Sequence, residues 1–138
     1  MPDVAPACDD PMSVTALIVD DSKLARLVVA KLLRQLRPDW TLAEAGNAEE
    51  AVARMEAERI DVALLDFNMP GRDGLDLAAD LRAARPEMPI AVISANIQDE
   101  VVARARSVDA TFLAKPLTEE SLGGFVSGAS LRLRRGAP

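Results

Sequence analysis

The sequence contains no histidine and no tyrosine, and it contains a single cysteine, Cys8. Without histidine, catalytic triads and general bases that depend on imidazole are excluded, and so are metal sites with histidine ligands. A lone cysteine cannot form an internal disulfide, and no basic leader precedes an apolar signal region, which together predict a cytoplasmic location. Neither a glycine-rich dinucleotide fingerprint nor a P-loop occurs, which argues against a nucleotide-binding α/β domain.

Long apolar runs and an excess of basic residues are also missing. No apolar run approaches the roughly 18 residues that a membrane span needs, so no membrane association is predicted. The chain has 22 acidic and 16 basic residues and a formal net charge of −6, which argues against binding nucleic acid or anionic lipid. A metal ion or a basic protein surface is the expected partner. The length of 138 residues and a hydrophobic content of 49% predict one folded domain.

The chain is expected to begin with a disordered tail. Its opening, MPDVAPACDDPMS, contains three prolines and three aspartates and has no periodic apolar pattern. We therefore predict a disordered N-terminal tail over residues 1–13 and one domain over residues 14–135.

From Val14 onward, short apolar runs alternate with segments of helical period. The predicted strands are VTALIVD, WTLAEA, IDVALLDF, MPIAVIS and TFLA, and each is followed by a helical segment. In the first helix, apolar residues recur at helical spacing: Leu24, Leu27, Val28, Leu32 and Leu36. Asn47 is expected to cap the second helix, with Glu50 reaching back as in a capping box. This alternation predicts an α/β fold with a doubly wound, five-stranded parallel sheet.

Polar residues follow four of these strands. They are Asp20 and Asp21, Asp66, Ser94, and Lys115 with Pro116. Because parallel strands end at the same edge of a sheet, these side chains should converge in one crevice, where ligands bind in such folds. Three carboxylates would repel one another, and a divalent cation would relieve that repulsion. With oxygen ligands alone, the expected ion is Mg²⁺, and an aspartate held beside it can act as a nucleophile toward phosphorus.

The segments LIVDDS, LLDFNMPGRDG, VISA and FLAKP, in this order, resemble the receiver domain of two-component response regulators, especially the single-domain, chemotaxis-regulator-like members. The resemblance covers about Val14 to Leu133 and implies the (βα)5 flavodoxin-like receiver fold. It implies that Asp66 accepts a phosphoryl group from a sensor histidine kinase or a histidine phosphotransferase. It also implies an Mg²⁺ site: Asp21 as a direct ligand, Asp20 acting largely through water, Asp66 itself, and the Asn68 main-chain carbonyl.

The resemblance also implies a conformational switch. Lys115 would pair with the phosphoryl oxygens, and Pro116 would shape the turn after it. The hydroxyl of Ser94 would move toward the phosphoryl group and Phe112 would swing inward behind it. Three further positions would govern access to the phosphoryl group and its lifetime: Ala95, Asn68 and Asn96. The signal would appear on the face built by the fourth helix, the fifth strand and the fifth helix.

The loop before the fifth strand departs from the family pattern. The family usually has Gly-Ala there, whereas this chain reads SVDATFLAKP. Valine is strained in a left-handed helix cap, so we expect the loop at Val108 and Asp109 to take another route.

The predicted function is that of a single-domain response regulator with no output domain in this chain. It would catalyse only its own phosphorylation and dephosphorylation, exist as a monomer or weak dimer, and signal to a downstream effector protein. One alternative is a receiver-like interaction module that signals without phosphorylation. A less favoured alternative is an Mg²⁺-dependent phosphatase of the haloacid dehalogenase type, in which the nucleophilic aspartate follows the first strand and a second aspartate stands two residues later.

Overall fold

The computed structural model describes residues 14–69, 73–95 and 97–136. Strands and helices alternate throughout this part of the chain. The strands are β1 (Thr15–Val19), β2 (Thr41–Ala45), β3 (Val62–Asp66), β4 (Ile90–Ser94) and β5 (Thr111–Ala114). The helices are α1 (Lys23–Leu36), α2 (Ala48–Ala57), α3 (Gly74–Ala84), α4 (Asp99–Ser107) and α5 (Glu119–Gly136). The predicted tail, residues 1–13, lies outside the described residues.

All five strands are parallel and lie in the order β2-β1-β3-β4-β5. β3 and β4 are buried along their whole length, because helices cover both faces of the sheet. The chain adds β2 on one side of β1 and then β3 on the other side. This change of direction leaves a crevice at the carboxyl ends of β1 and β3. The predicted doubly wound α/β fold is therefore confirmed.

The side chains of the sheet divide into two hydrophobic cores. In β1, Leu17 and Val19 face the core shared with α2, α3 and α4, whereas Ala16 and Ile18 face the core shared with α1 and α5. This alternation follows from the two-residue period of a strand. The protein therefore has three layers, with two helices on one side of the sheet and three on the other.

The first helix forms as predicted, but it buries a different face from the one that the apolar spacing indicated. Its buried residues are Val29, Ala30 and Leu33. Three of the predicted apolar residues are instead exposed on the outer face: Leu24, Leu27 and Val28. The helix carries two overlapping apolar stripes, and the periodicity of the sequence does not distinguish the stripe that contacts the sheet.

The start of α2 differs slightly from a capping box. Asn47 caps the helix by accepting the Glu50 N–H at 2.8 Å, as predicted. The carboxylate of Glu50 reaches back one residue further than expected and accepts the N–H of Gly46, also at 2.8 Å.

The loop between α4 and β5 keeps a left-handed helix cap, contrary to our expectation of another route. Val108 has an ordinary φ of −105°, and Asp109 takes the left-handed conformation with a φ of 54°. The N–H groups of Asp109 and Ala110 donate to the carbonyls of Arg106 and Ala105, which is the Schellman pattern. Aspartate tolerates this conformation better than valine, so the cap forms one residue after the position we considered.

The guanidinium of Arg82, on α3, fastens this loop. It donates to the main-chain carbonyls of Val108 and Asp109, and also to those of Arg85 and Pro86 after α3. The side chain of Asp109 in turn pairs with Arg132 on α5 at 3.3 Å. The α4–β5 loop is thus tied to elements on both sides of it.

Within the described residues, no helix is both long and apolar enough to pass through a membrane.

Gly74 allows a close approach of backbone at the start of α3. Its N–H donates to the carbonyl of Phe67 at 2.9 Å, and a Cβ at this position would collide with the main-chain carbonyl of Asp66. Gly124 lies on the exposed side of α5, and a Cβ added there would meet no neighbouring side chain or other element within 4 Å.

The same substitution at these two glycines should therefore have opposite effects. We expect Gly74→Ala to reduce the free energy of unfolding by about 1–3 kcal/mol, because the backbone of β3 must shift. Gly124→Ala should increase it by about 0.5–1 kcal/mol, through higher helix propensity. Urea denaturation of both variants and the wild type measures the difference. Equal stability of Gly74→Ala and the wild type would contradict the steric argument.

Candidate functional site

Three aspartates meet at the carboxyl edge of the sheet. Asp66 is the last residue of β3, and Asp20 and Asp21 directly follow its neighbour β1, where Val19 is paired with Leu65. Each carboxylate offers one oxygen within 4.8 Å of the other two. Asp20 and Asp66 are buried, at 5% and 4% exposure, whereas Asp21 is exposed. The cluster therefore has two fixed carboxylates below and one at the rim, a set of hard oxygen ligands that suits Mg²⁺.

Asp20 is held firmly in this cluster. Its N–H donates to the carbonyl of Ala45, and one carboxylate oxygen accepts the N–H of Ser22 at 2.9 Å. Burial raises the pKa of Asp20 above its ordinary value of 3.8, the Ser22 hydrogen bond opposes this shift, and the negative charge of Asp66 adds to it. A carboxylate with a raised pKa is one whose charge the surroundings disfavour, and a bound cation would reverse that.

Lys115 supplies the positive charge next to the cluster. Its Nζ lies 2.8 Å from Oδ1 of Asp66, and its side chain is 38% exposed while that of Asp66 is 5% exposed. Oδ1 has no well-directed hydrogen bond among the described residues, so the contact is an ion pair rather than a directed hydrogen bond. The Lys115 main chain is anchored as well, because its N–H donates to the carbonyl of Ser94 at 3.0 Å. The Lys115–Pro116 peptide that follows is cis.

The remaining predicted site residues lie around this crevice or behind it. Ser94 ends β4, next to β3 in the sheet, and is fully buried. Phe112 lies on the edge strand β5, opposite Val92, and packs partly buried against the core shared with α2, α3 and α4. Asn68 and Ala95 are exposed, each just after the strand that ends in Asp66 or Ser94. Asn96 lies outside the described residues.

Sequence reasoning missed Arg26, which contacts the main chain of Asp20, and Glu44, which contacts Arg26. Arg26 lies on α1 and donates to the main-chain carbonyl of Asp20 at 2.5 Å and to the carboxylate of Glu44 at 2.9 Å. The sequence does contain a signal that Arg26 has buried partners. Arg26 falls in the i, i+4, i+7 series with Ala30 and Leu33, on the buried face of the helix. A charged residue on a buried stripe needs polar partners nearby.

The sheet order, together with an acidic cluster that faces a lysine at the carboxyl edge, defines an α/β domain of the receiver class. The sequence profile described as the response regulator receiver domain matches residues 16–126, and the chain belongs to this family. Receiver domains are the phosphoacceptor signalling modules of two-component systems; they bind Mg²⁺ at an acidic pocket and interact with histidine kinases and effectors. The predicted family is therefore confirmed.

Similar proteins support the same assignment. The positive alginate biosynthesis regulatory protein of Pseudomonas aeruginosa is 40% identical over 119 residues, which are 85% of this chain and 47% of that protein. The transcriptional regulatory protein PdtaR of Mycobacterium tuberculosis is 35% identical over 86% of this chain and 57% of its own length. The chain thus spans about half the length of these relatives.

Solved structures agree on the fold. The Vibrio cholerae chemotaxis protein CheY4 superimposes with a TM-score of 0.76 at 27% identity, covering 85% of this chain and 98% of that one. A CheY-like receiver domain protein from Methanospirillum hungatei, at 22% identity, has a TM-score of 0.79, covering 89% and 98% of the two chains. Membership of this family, with Asp66 after the third strand, sets aside the haloacid dehalogenase alternative.

The burial of Asp20 and the charge repulsion in the cluster lead to a prediction for the metal-free protein. Asp20→Asn removes one buried negative charge while its carbonyl oxygen can still accept the Ser22 N–H. Because the raised pKa means that ionised Asp20 destabilises the fold above that pKa, the variant should melt at a higher temperature than the wild type at neutral pH without Mg²⁺. The further stabilisation by Mg²⁺, about 2.7 kcal/mol for the wild type at a hundredfold excess over its dissociation constant, should shrink.

Asp61 provides the matched control. It is buried to the same degree, at 5% exposure, but it accepts the Thr15 N–H at 2.9 Å and pairs with Arg59 at 3.1 Å. Asp61→Asn should therefore lower the melting temperature and leave the response to Mg²⁺ unchanged. A metal-free Asp20→Asn variant that is less stable than the wild type would contradict the argument that ionised Asp20 destabilises the fold.

Proposed function

We propose that this receiver domain accepts a phosphoryl group on Asp66 from a phosphohistidine donor, in a reaction that depends on Mg²⁺, and signals the change to a partner protein. The observation that carries the proposal is the buried carboxylate of Asp66, which shares a pocket with Asp20 and Asp21 and touches Lys115. Lys115 lies 2.8 Å from Oδ1 of Asp66, so a positive charge is already in place where the charge of an incoming phosphoryl group would develop.

The transfer is a displacement at phosphorus. An oxygen of Asp66 forms the new O–P bond as the P–N bond to the donor's imidazole breaks, and the ring nitrogen leaves with the electron pair and takes up a proton. The product on this chain is an acyl phosphate. With a small donor such as acetyl phosphate, the P–O bond breaks instead and acetate leaves.

The residues around Asp66 have separate tasks. Asp20, Asp21, Asp66 and the Asn68 main-chain carbonyl would hold Mg²⁺. The ion, when bound, offsets the negative charge that builds up on the phosphoryl oxygens. Lys115 pairs with Asp66 before transfer and with a phosphoryl oxygen afterwards. Three carboxylates against one lysine and a divalent ion make a pocket of nearly zero net charge, into which a dianionic group can enter.

The conformational signal would pass along β4 and β5. Ser94 ends β4 beside the crevice, and its hydroxyl turns toward the phosphoryl group. Phe112, on β5, moves inward in response, and the face of α4, β5 and α5 changes shape. Ala95, Asn68 and Asn96 govern access to the phosphoryl group and its lifetime, and Pro116 shapes the turn that presents Lys115.

The outer face of α1 is where we expect a donor protein to make contact. Leu24, Leu27 and Val28 are 72%, 49% and 50% exposed on a helix that begins beside Asp21. Exposed apolar residues grouped on one face are typical of protein interaction sites. We propose that residues 14–135 act as a cytoplasmic receiver unit, a monomer or weak dimer, whose partners are a histidine kinase or phosphotransferase and an effector protein.

The direct test is phosphorylation by acetyl phosphate in the presence of Mg²⁺. The intact mass should increase by one phosphoryl group, and the increase should require both Mg²⁺ and Asp66. Asp66→Asn should show no addition. Asp61→Asn, at the opposite end of β3, removes an equally buried carboxylate and should be phosphorylated like the wild type. No addition to the folded wild type from either acetyl phosphate or a panel of histidine phosphotransferases would favour the module that signals without phosphorylation.

Lys115 should matter more for the response than for the transfer. In Lys115→Ala, the aspartates that would bind Mg²⁺ are unchanged, so some phosphorylation should persist. The ammonium that links the phosphoryl group to β5 is gone, so the phosphorylation-dependent changes in amide chemical shifts of β4 and β5 should be lost. Amide spectra recorded before and after phosphorylation measure this. Wild-type spectral changes in the variant would remove Lys115 from its proposed role.

A further inference from the structure

We propose that Arg26 is a positioning residue for the acidic pocket: it fixes the turn after β1 so that Asp20 and Asp21 face Asp66, and thereby strengthens the binding of a divalent cation. The inference rests on the proposed function, because it assumes that the three aspartates bind Mg²⁺. It assigns no contact between Arg26 and the ion or the phosphoryl group.

Arg26 reaches the acidic pair from the inner side of α1. Its side chain is 17% exposed, so the guanidinium is largely shielded from water. Nη1 donates to the main-chain carbonyl of Asp20 at 2.5 Å, and Nε donates to Oε1 of Glu44 at 2.9 Å. The planar guanidinium therefore joins the end of β1 to β2 through two directed bonds.

The carbonyl of Asp20 needs such a donor. Pairing of β1 with both of its neighbours ends at Val19, so the Asp20 carbonyl lies beyond the last residue pair of either ladder. With Arg26 in place, Asp20 is fixed at its N–H by Ala45, at its carbonyl by Arg26 and at one carboxylate oxygen by Ser22. Its other carboxylate oxygen remains available to face the pocket.

The turn after β2 lies next to the same guanidinium. A Cβ on Gly46 would lie 3.5 Å from Nη1 of Arg26 and 3.4 Å from Oε1 of Glu50, which is ordinary van der Waals contact, so Gly46 adjoins both side chains. Glu44 neutralises Arg26 locally. The arginine can therefore hold the Asp20 main chain without adding a large net positive charge beside the cation site.

Two effects of removing Arg26 oppose each other. Loss of a positive charge near three carboxylates would strengthen cation binding, whereas loss of positioning would weaken it. Because Glu44 already balances the guanidinium, we expect positioning to dominate. Residues that orient metal ligands commonly change metal affinity by about tenfold or more when they are replaced.

The test is an Mg²⁺ titration of the full chain by calorimetry, at low and at high ionic strength. We expect Arg26→Gln to raise the Mg²⁺ dissociation constant by about tenfold at both ionic strengths, since salt screens a charge effect but not a loss of geometry. Arg54→Gln is the matched control. Arg54 donates to the main-chain carbonyl of Glu44 and pairs with Glu58, but it does not contact Asp20, so its loss should leave Mg²⁺ affinity unchanged.

A second variant keeps the test informative if Arg26→Gln does not fold, which circular dichroism in EDTA would reveal. Arg26→Lys retains the charge but has no planar group to join Asp20 and Glu44, so it should also bind Mg²⁺ more weakly than the wild type. Full rescue by lysine would show that the planar link between Asp20 and Glu44 is not needed, and it would overturn the inference. So would unchanged or tighter binding in Arg26→Gln, or a defect that disappears at high salt. A wild-type chain that does not bind Mg²⁺ would instead remove the proposed metal site, and this inference with it.

Discussion

Repulsion among the carboxylates of Asp20, Asp21 and Asp66 is the interaction on which the rest of the site depends. Three oxygens within 4.8 Å of one another store unfavourable electrostatic energy unless positive charge is brought close. Among the described residues, Lys115 forms an ion pair with this cluster, with its Nζ 2.8 Å from Asp66. One lysine does not balance three carboxylates, so a divalent ion bound in the pocket would offset the remaining negative charge. Burial, and to a lesser extent the negative charge of Asp66, raises the pKa of Asp20, so the ionised form of Asp20 is disfavoured in the metal-free pocket.

The parallel sheet explains why the charges can be assembled at all. Strands β1 and β3 are neighbours in space although a strand and two helices separate them in sequence, and both end at the same edge. Hydrogen bonds from Ser22 and Arg26 then hold the turn after β1, while the small volume of Gly74 lets α3 begin close to Asp66. The acidic pocket is thus shaped by groups outside its three carboxylates.

The opposite end of the proposed signalling face is fastened differently. Arg82 binds the carbonyls of Val108 and Asp109, and Asp109 pairs with Arg132, so the α4–β5 loop is joined to α3 and to α5. The end of the face near the pocket carries Ser94 and the main-chain bond from Lys115. In the proposed switch, a change in charge at Asp66 would act first on that near end, while hydrogen bonds and an ion pair hold the far end.

The sequence by itself determined the order of strands and helices, the family, and which residue types would meet at the carboxyl edge, because strand and helix periods and the direction of parallel strands follow from local chemistry. It did not reveal which apolar stripe of α1 faces the sheet, since Leu24 and Leu33 look alike until a neighbouring surface is present. The left-handed cap forms at Asp109 rather than Val108 because aspartate tolerates a positive φ, a local signal that the sequence analysis did not use. Only the tertiary structure brought Arg26 to the carbonyl of Asp20 and to Glu44, because the partners of a buried guanidinium depend on how α1 packs against the ends of β1 and β2.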